Sequence, residues 1–145
     1  MYRPKDKYAF DETAAMQICQ WMEIILDRHI AANAEDFKNY LMTETQIYCE
    51  LFNAFKPDST HKAKKSMIRF KQQENIGFFF RACKGILDME EISLFSANDC
   101  LDGKDMNRVM SCLVEFAKLM RKEFPPDDAP PALEVTFKRR RVGQF

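Results

Sequence analysis

Apolar residues recur along this chain at helical spacing in four main stretches, each closed by a polar or proline-containing break. The first puts Ala15, Ile18, Met22, Ile25 and Leu26 on one face behind Asp11, a suitable N-cap, and predicts a helix over residues 12–28. Trp21 borders that stripe; a buried indole N–H needs an acceptor, so a backbone carbonyl is its expected partner. Residues 34–41 read as a short helical piece, after which Thr43 and Gln46 fit a capping box opening a second main helix. Ile47, Tyr48, Leu51, Phe52 and Phe55 form its stripe, and Pro57 ends it by removing a backbone donor and disfavouring helical geometry at Lys56. A third helix from about residue 71 to 86 turns Ile76, Phe79, Phe80, Cys83 and Ile86 or Leu87 inward. Phe78 falls partly off that face, and Gly77 suits the close approach of another helix. The last stripe, Met106, Val109, Met110, Leu113, Phe116, Ala117 and Met120, is the most regular of the four.

The segments between these helices differ in character. Residues 56–71 carry six Lys or Arg against one Asp and read as a loop anchored by Met67, Ile68 and Phe70. Leu94 and Phe95 form a short apolar piece, and Asp102 to Asp105 supply a turn and a cap for the final helix. After Lys122 four prolines in a short span favour extended structure, and Val135 and Phe137 alternate as a strand-like pair suited to docking on the body. The expected organisation is an N-terminal extension (1–11), one helical domain (12–122), and a Pro-rich linker with a basic tail (123–145).

Composition narrows the function classes. The 145 residues suffice for one core, and 46% apolar content with 30% charge describes a globule rather than a disordered or membrane-spanning chain. No run of eighteen apolar residues occurs and the charged start lacks a secretory signal, so the expected location is cytoplasmic and cytoskeleton-associated, with a nuclear location as the alternative. Twenty-two cations balance twenty-two anions, and residues 1–120 hold sixteen against eighteen, which argues against nucleic acid as a partner. Five cysteines make an odd set with no CxxC pair; at least Cys19, Cys49, Cys83 and Cys112 read as small buried hydrophobes. His29 and His61 stand apart from any nucleophile or ligand cluster, so no catalytic residue, metal site or cofactor is assigned.

Three segments then carry a family resemblance. Ile47-Tyr48-Cys49-Glu50-Leu51-Phe52-Asn53-Ala54-Phe55-Lys56-Pro57 resembles the calponin-homology pattern V-L-C-K-L-I-N-K-L-x-P. Met67 to Phe79 resembles F-K-x-M-E-N-I-x-x-F-L, and Leu94 to Met106 resembles L-F-x-x-x-D-L-x-E-G-K-N-M. Trp21 stands where the family's first helix carries its tryptophan, and the single-copy calponin and transgelin type is the most similar variety. Glu44 and Thr45 replace the usual Asp-Gly before the V-L-C helix, and Gln73 replaces a Met. The resemblance implies an all-α fold, a compact bundle of four main helices plus short connecting helices, with no catalysis and no cofactor. Trp21, Leu51, Asn53, Pro57, Phe70, Asn75, Phe95, Asp99 and Gly103 are its structural positions here, and Asn75, Asn98, Asp99 and Gly103 are expected at helix ends or turns.

The same resemblance implies filamentous actin or an actin-associated protein as partner, although lone copies of this type often act as adaptors. Two cationic clusters fit such a contact: Lys62, Lys64, Lys65, Arg69 and Lys71, and the tail Lys138, Arg139, Arg140 and Arg141. The tail also fits anionic lipid or nuclear import. The expected function is a monomeric, non-catalytic cytoskeletal module; the alternative is a signalling adaptor that binds a folded partner through its helical surface.

Overall fold

A computed structural model describes residues 9–137. Among the described residues the regular structure is entirely helical: α1 (Glu12–Leu26), α2 (Ala34–Thr43), α3 (Gln46–Phe55), α4 (Arg69–Leu87), α5 (Ala97–Leu101) and α6 (Met106–Lys122), with a 3-10 turn at Glu91–Ser93. This is the expected all-α bundle, with α1, α4 and α6 as its longest helices, α3 at its centre and α2 and α5 connecting them, although α2 is as long as α3 at 10 residues. The start signals act as the sequence implies. Asp11 accepts from the Ala14 N–H at 3.0 Å, Asp105 accepts from the Arg108 N–H at 3.1 Å, and Ser96 and Asp99 close a reciprocal capping box on α5. Before Pro57, Lys56 leaves helical space at φ −136° and ψ 95°.

Helix α3 departs from the expected capping box. Thr43 is the last residue of α2, and its hydroxyl donates to the Asn39 carbonyl at 2.8 Å, while Thr45 is the N-cap and makes no side-chain cap. Thr45 sits at φ −70°, so the family's glycine conformation is not needed at this position. The Gln46 amide instead donates to Glu44 at 2.9 Å.

Aromatic rings from three helices meet at the centre. Phe79 of α4 lies 5.5 Å from Tyr48, 6.3 Å from Phe52 and 5.5 Å from Phe116, mostly in tilted or edge arrangements that suit ring quadrupoles. The Tyr48 hydroxyl donates to the Leu41 carbonyl at 3.0 Å, so its polar end is satisfied inside the core. All five cysteines are free and buried, Cys100 included. Burial pushes the Cys19 and Cys100 thiols up to about 11 and Cys112 up to about 12, which leaves them protonated and inert at neutral pH.

Trp21 is buried, stacks on Phe55 at 5.6 Å, and donates to the Pro131 carbonyl at 2.9 Å. The expected backbone acceptor is thus supplied by the proline-rich segment. Phe124, Leu133, Val135 and Phe137 are half-buried against the core, so residues 124–137 run along the body as a strap. Gly77 does not serve a close helix approach, since a Cβ placed there would meet nothing within 4 Å. Gly103 does have a conformational role, with φ +63° and the end of Met42 only 2.9 Å from where a Cβ would sit.

Candidate functional site: a cationic loop with an apolar ridge

The chain between α3 and α4 has little regular structure, so side chains must hold its backbone in place. Asn53 Oδ1 accepts from the Ser59 and Thr60 N–H groups, both at 3.0 Å, and its amide donates to the Thr60 hydroxyl at 3.0 Å. Asp58 takes the left-handed turn at φ 63°, a conformation that aspartate tolerates better than most residues. Asn75, only 4% exposed, donates to the Lys64 carbonyl at 2.9 Å and to the Thr45 hydroxyl at 3.4 Å. Gln72 adds a bond to the Ser66 carbonyl at 2.9 Å. Asn75 lies inside α4, which begins at Arg69 rather than near residue 71, and not at a helix end. Its function is still backbone bonding. The ring of Phe78 flanks the loop between His61, 4.6 Å away, and Arg81, 5.3 Å away.

This frame fixes the backbone while leaving most of the lysine side chains outside. Lys62, Lys64, Lys65 and Lys71 are exposed and line one groove of about 320 Å³. Lys65 pairs with Glu44 at 2.8 Å, and Lys71 stands 3.8 Å from Glu74. Partial burial raises the Glu44 carboxyl, but bonds from Lys65 and Gln46 and the charges of Lys65 and Arg28 outweigh it and hold the pKa below the ordinary value. The bond from Glu44 raises that of Lys65 in turn. Among the described residues neither Lys62 nor Lys64 is part of an ion pair, so these two present the least compensated charge of the loop.

Arg69 belongs to the frame. Its guanidinium donates to Asp102 Oδ1 at 2.9 Å and Oδ2 at 3.2 Å, and to Asn98 Oδ1 at 2.9 Å, which ties the first turn of α4 to α5 and the following turn. A bidentate clamp of this kind is already occupied, and that commitment is invisible in a one-dimensional count of cations. Lys138, Arg139, Arg140 and Arg141 lie outside the described residues.

Met67, Ile68 and Phe70 do not anchor the loop. They are 89%, 62% and 65% exposed and form an apolar ridge beside the lysines. The helix repeat explains Phe70, which stands nine residues before buried Phe79, about two and a half turns, and so lies on the opposite side of α4. The wheel could have found Phe70 had the helix been extended back to Arg69, but Met67 and Ile68 precede α4 and lie outside it.

Comparison with known proteins agrees with this architecture. The family model described as "Calponin homology (CH) domain" matches residues 12–122. The chain is 30% identical over 112 residues to Rac guanine nucleotide exchange factor B of Dictyostelium discoideum, covering 76% of this chain and 9% of that protein. It is 26% identical over 132 residues to calponin-2 of Sus scrofa, covering 91% of this chain and 43% of that protein. It therefore spans less than half of either relative. Two solved structures from Schizosaccharomyces pombe superpose with TM-scores of 0.69: the calponin-homology domain of an IQGAP protein, 22% identical, covering 89% of this chain and 77% of that one, and that of Rng2, 23% identical, covering 86% and 78%. These two show the fold. With the family model spanning all six helices, the buried Trp21 and the asparagine-framed loop in place, the chain belongs to the calponin-homology family.

Proposed function

We propose that this domain is a non-catalytic cytoskeletal interaction module that associates with filamentous actin through the face carrying Lys62, Lys64, Lys65 and Lys71. The observation that carries this reading is the display of Lys62 and Lys64: Asn53 fastens the loop before them at Ser59 and Thr60 and Asn75 fastens it at the Lys64 carbonyl, while their charges face solvent without an acidic partner among the described residues. An acidic filament surface fits such a display, since complementary potential raises encounter rates even where each rim pair adds only about 0.2–1 kcal/mol. The repeated sites of a filament compensate for weak single contacts when several domains act together. The tail from Lys138 to Arg141 serves as a second cationic contact in this reading, the domain works as a monomer, and its location is cytoplasmic and cytoskeleton-associated. Family membership supports the non-catalytic assignment, because calponin-homology domains are in general binding domains.

Co-sedimentation of the full chain with filamentous actin tests the proposal. Pelleting is expected at low salt and should fall steeply as salt approaches physiological strength, where screening shortens to about 8 Å. Absence of pelleting at low salt removes actin as a direct partner and leaves the adaptor role. The adaptor reading gains little from the described surface, because exposed Ile24 and Ile92 stand singly and the one contiguous apolar ridge adjoins the lysines.

A further inference from the structure

The filament reading uses the lysines and leaves the ridge without a task. Three large apolar side chains, Met67, Ile68 and Phe70, stand within four consecutive positions and are exposed by 62–89%. Isolated exposed hydrophobes need no explanation, but a contiguous group held outward beside a cationic groove does. The loop backbone is held around it: Ser66 accepts from the Ile68 N–H at 3.1 Å, Gln72 donates to the Ser66 carbonyl at 2.9 Å, and the Arg69 clamp fixes the first turn of α4. The ridge therefore projects from a braced corner.

We propose that this corner docks on an anionic membrane leaflet, with Met67, Ile68 and Phe70 entering the acyl boundary and Lys62, Lys64, Lys65 and Lys71 meeting lipid headgroups. Both chemistries that an anionic leaflet offers a partner for meet at this corner: Ile68 lines the groove together with Lys62, Lys64, Lys65 and Lys71, and exposed Met67 and Phe70 stand next to it in the chain. The two carboxylates nearest the groove, Glu44 and Glu74, are paired with Lys65 and Lys71, so they put no uncompensated negative charge toward the lipid. Long lysine stems suit this position, since the methylenes lie along apolar surface while the ammonium stays at the headgroup level. No helix among the described residues is long and apolar enough to cross a membrane, so the contact is a peripheral one. The surface is shared with the filament contact proposed above, which makes the two partners competitors, yet the membrane inference stands on the ridge and not on actin.

Flotation of the full chain with vesicles tests it. Vesicles of phosphatidylcholine with added phosphatidylserine are expected to carry the protein, and vesicles of phosphatidylcholine alone are not. A triple variant, Met67→Ser, Ile68→Ser and Phe70→Ser, should weaken vesicle binding by about tenfold or more while thermal unfolding stays unchanged, because these side chains are exposed. In a Met67→Trp variant, brominated acyl chains should quench the added indole and leave buried Trp21 unaffected. Failure to float with anionic vesicles overturns the proposal. So does binding that survives the triple variant without quenching but is lost when Lys138 to Arg141 are changed to glutamine, since the tail would then be the lipid contact. Loss of filament pelleting in the triple variant with vesicle binding intact would assign the ridge to actin instead.

Discussion

Replacing Phe79 by alanine should destabilise the domain by about 3–5 kcal/mol, the range for removing a fully buried aromatic ring. Phe79 has no exposed surface and is in contact distance of Tyr48, Phe52, Phe80 and Phe116, so the void would open where α3, α4 and α6 meet. Those neighbours are themselves held, Tyr48 by its bond to the Leu41 carbonyl, which limits relaxation into the space. Since domains of this size have only about 5–15 kcal/mol of stability, the variant should lose a large share of it and melt roughly 10–20 °C lower. Phe70→Ala is the matched control, identical in chemistry but 65% exposed, and should stay within about 0.5 kcal/mol of the parent. Urea denaturation of both variants checks this. Equal effects at the two positions would contradict the assignment of the α4 faces.

Asn75→Ala should cost about 1–3 kcal/mol, because it strips the donor from a carbonyl and a hydroxyl that packing has withdrawn from water. The affected groups are the Lys64 carbonyl and the Thr45 hydroxyl, the former being one of the points where the loop is fastened to α4. Loss of this bond should do more than lower the denaturation midpoint. Amide hydrogen exchange over residues 60–66 should accelerate, while α6, to which Asn75 makes no hydrogen bond, keeps its protection relative to global stability. Asn53→Ala is expected to loosen the neighbouring part, residues 58–60, since its Oδ1 receives the Ser59 and Thr60 amides. Uniform acceleration across all helices in the Asn75 variant, with no local excess in the loop, would show that the residue contributes to overall stability only.

What could be seen in the linear pattern was whatever depends on local chemistry. Asp11 and Asp105 cap because a carboxylate just before an apolar stripe meets free N–H groups, and Pro57 stops α3 through its own ring. The inward faces followed from the period of 3.6, and the need of Trp21 for a carbonyl followed from burial alone, although the identity of that carbonyl, Pro131, did not. Three features required the third dimension. Arg69 looks like one more free cation until α5 brings Asp102 and Asn98 to it. Thr43 and Gln46 fit a capping box in spacing, but the turn at Glu44 and Thr45 makes Thr43 the end of α2 instead. Met67, Ile68 and Phe70 were expected to be anchors on hydrophobicity alone, and only the true start of α4 turns Phe70 outward. The candidate site was therefore legible as a cationic segment, whereas its division into frame and display, and the ridge beside it, were not.

Actin co-sedimentation of a Lys62→Glu and Lys64→Glu double variant beside the parent at low salt decides whether the loop face carries the cytoskeletal contact. Both side chains are exposed and pair with no acid among the described residues, so charge reversal should leave the melting temperature unchanged. Pelleting should fall by about tenfold or more, as two attractive charges at the contact become repulsive. Undiminished pelleting by the folded double variant would contradict this and move the contact to another face or to the tail.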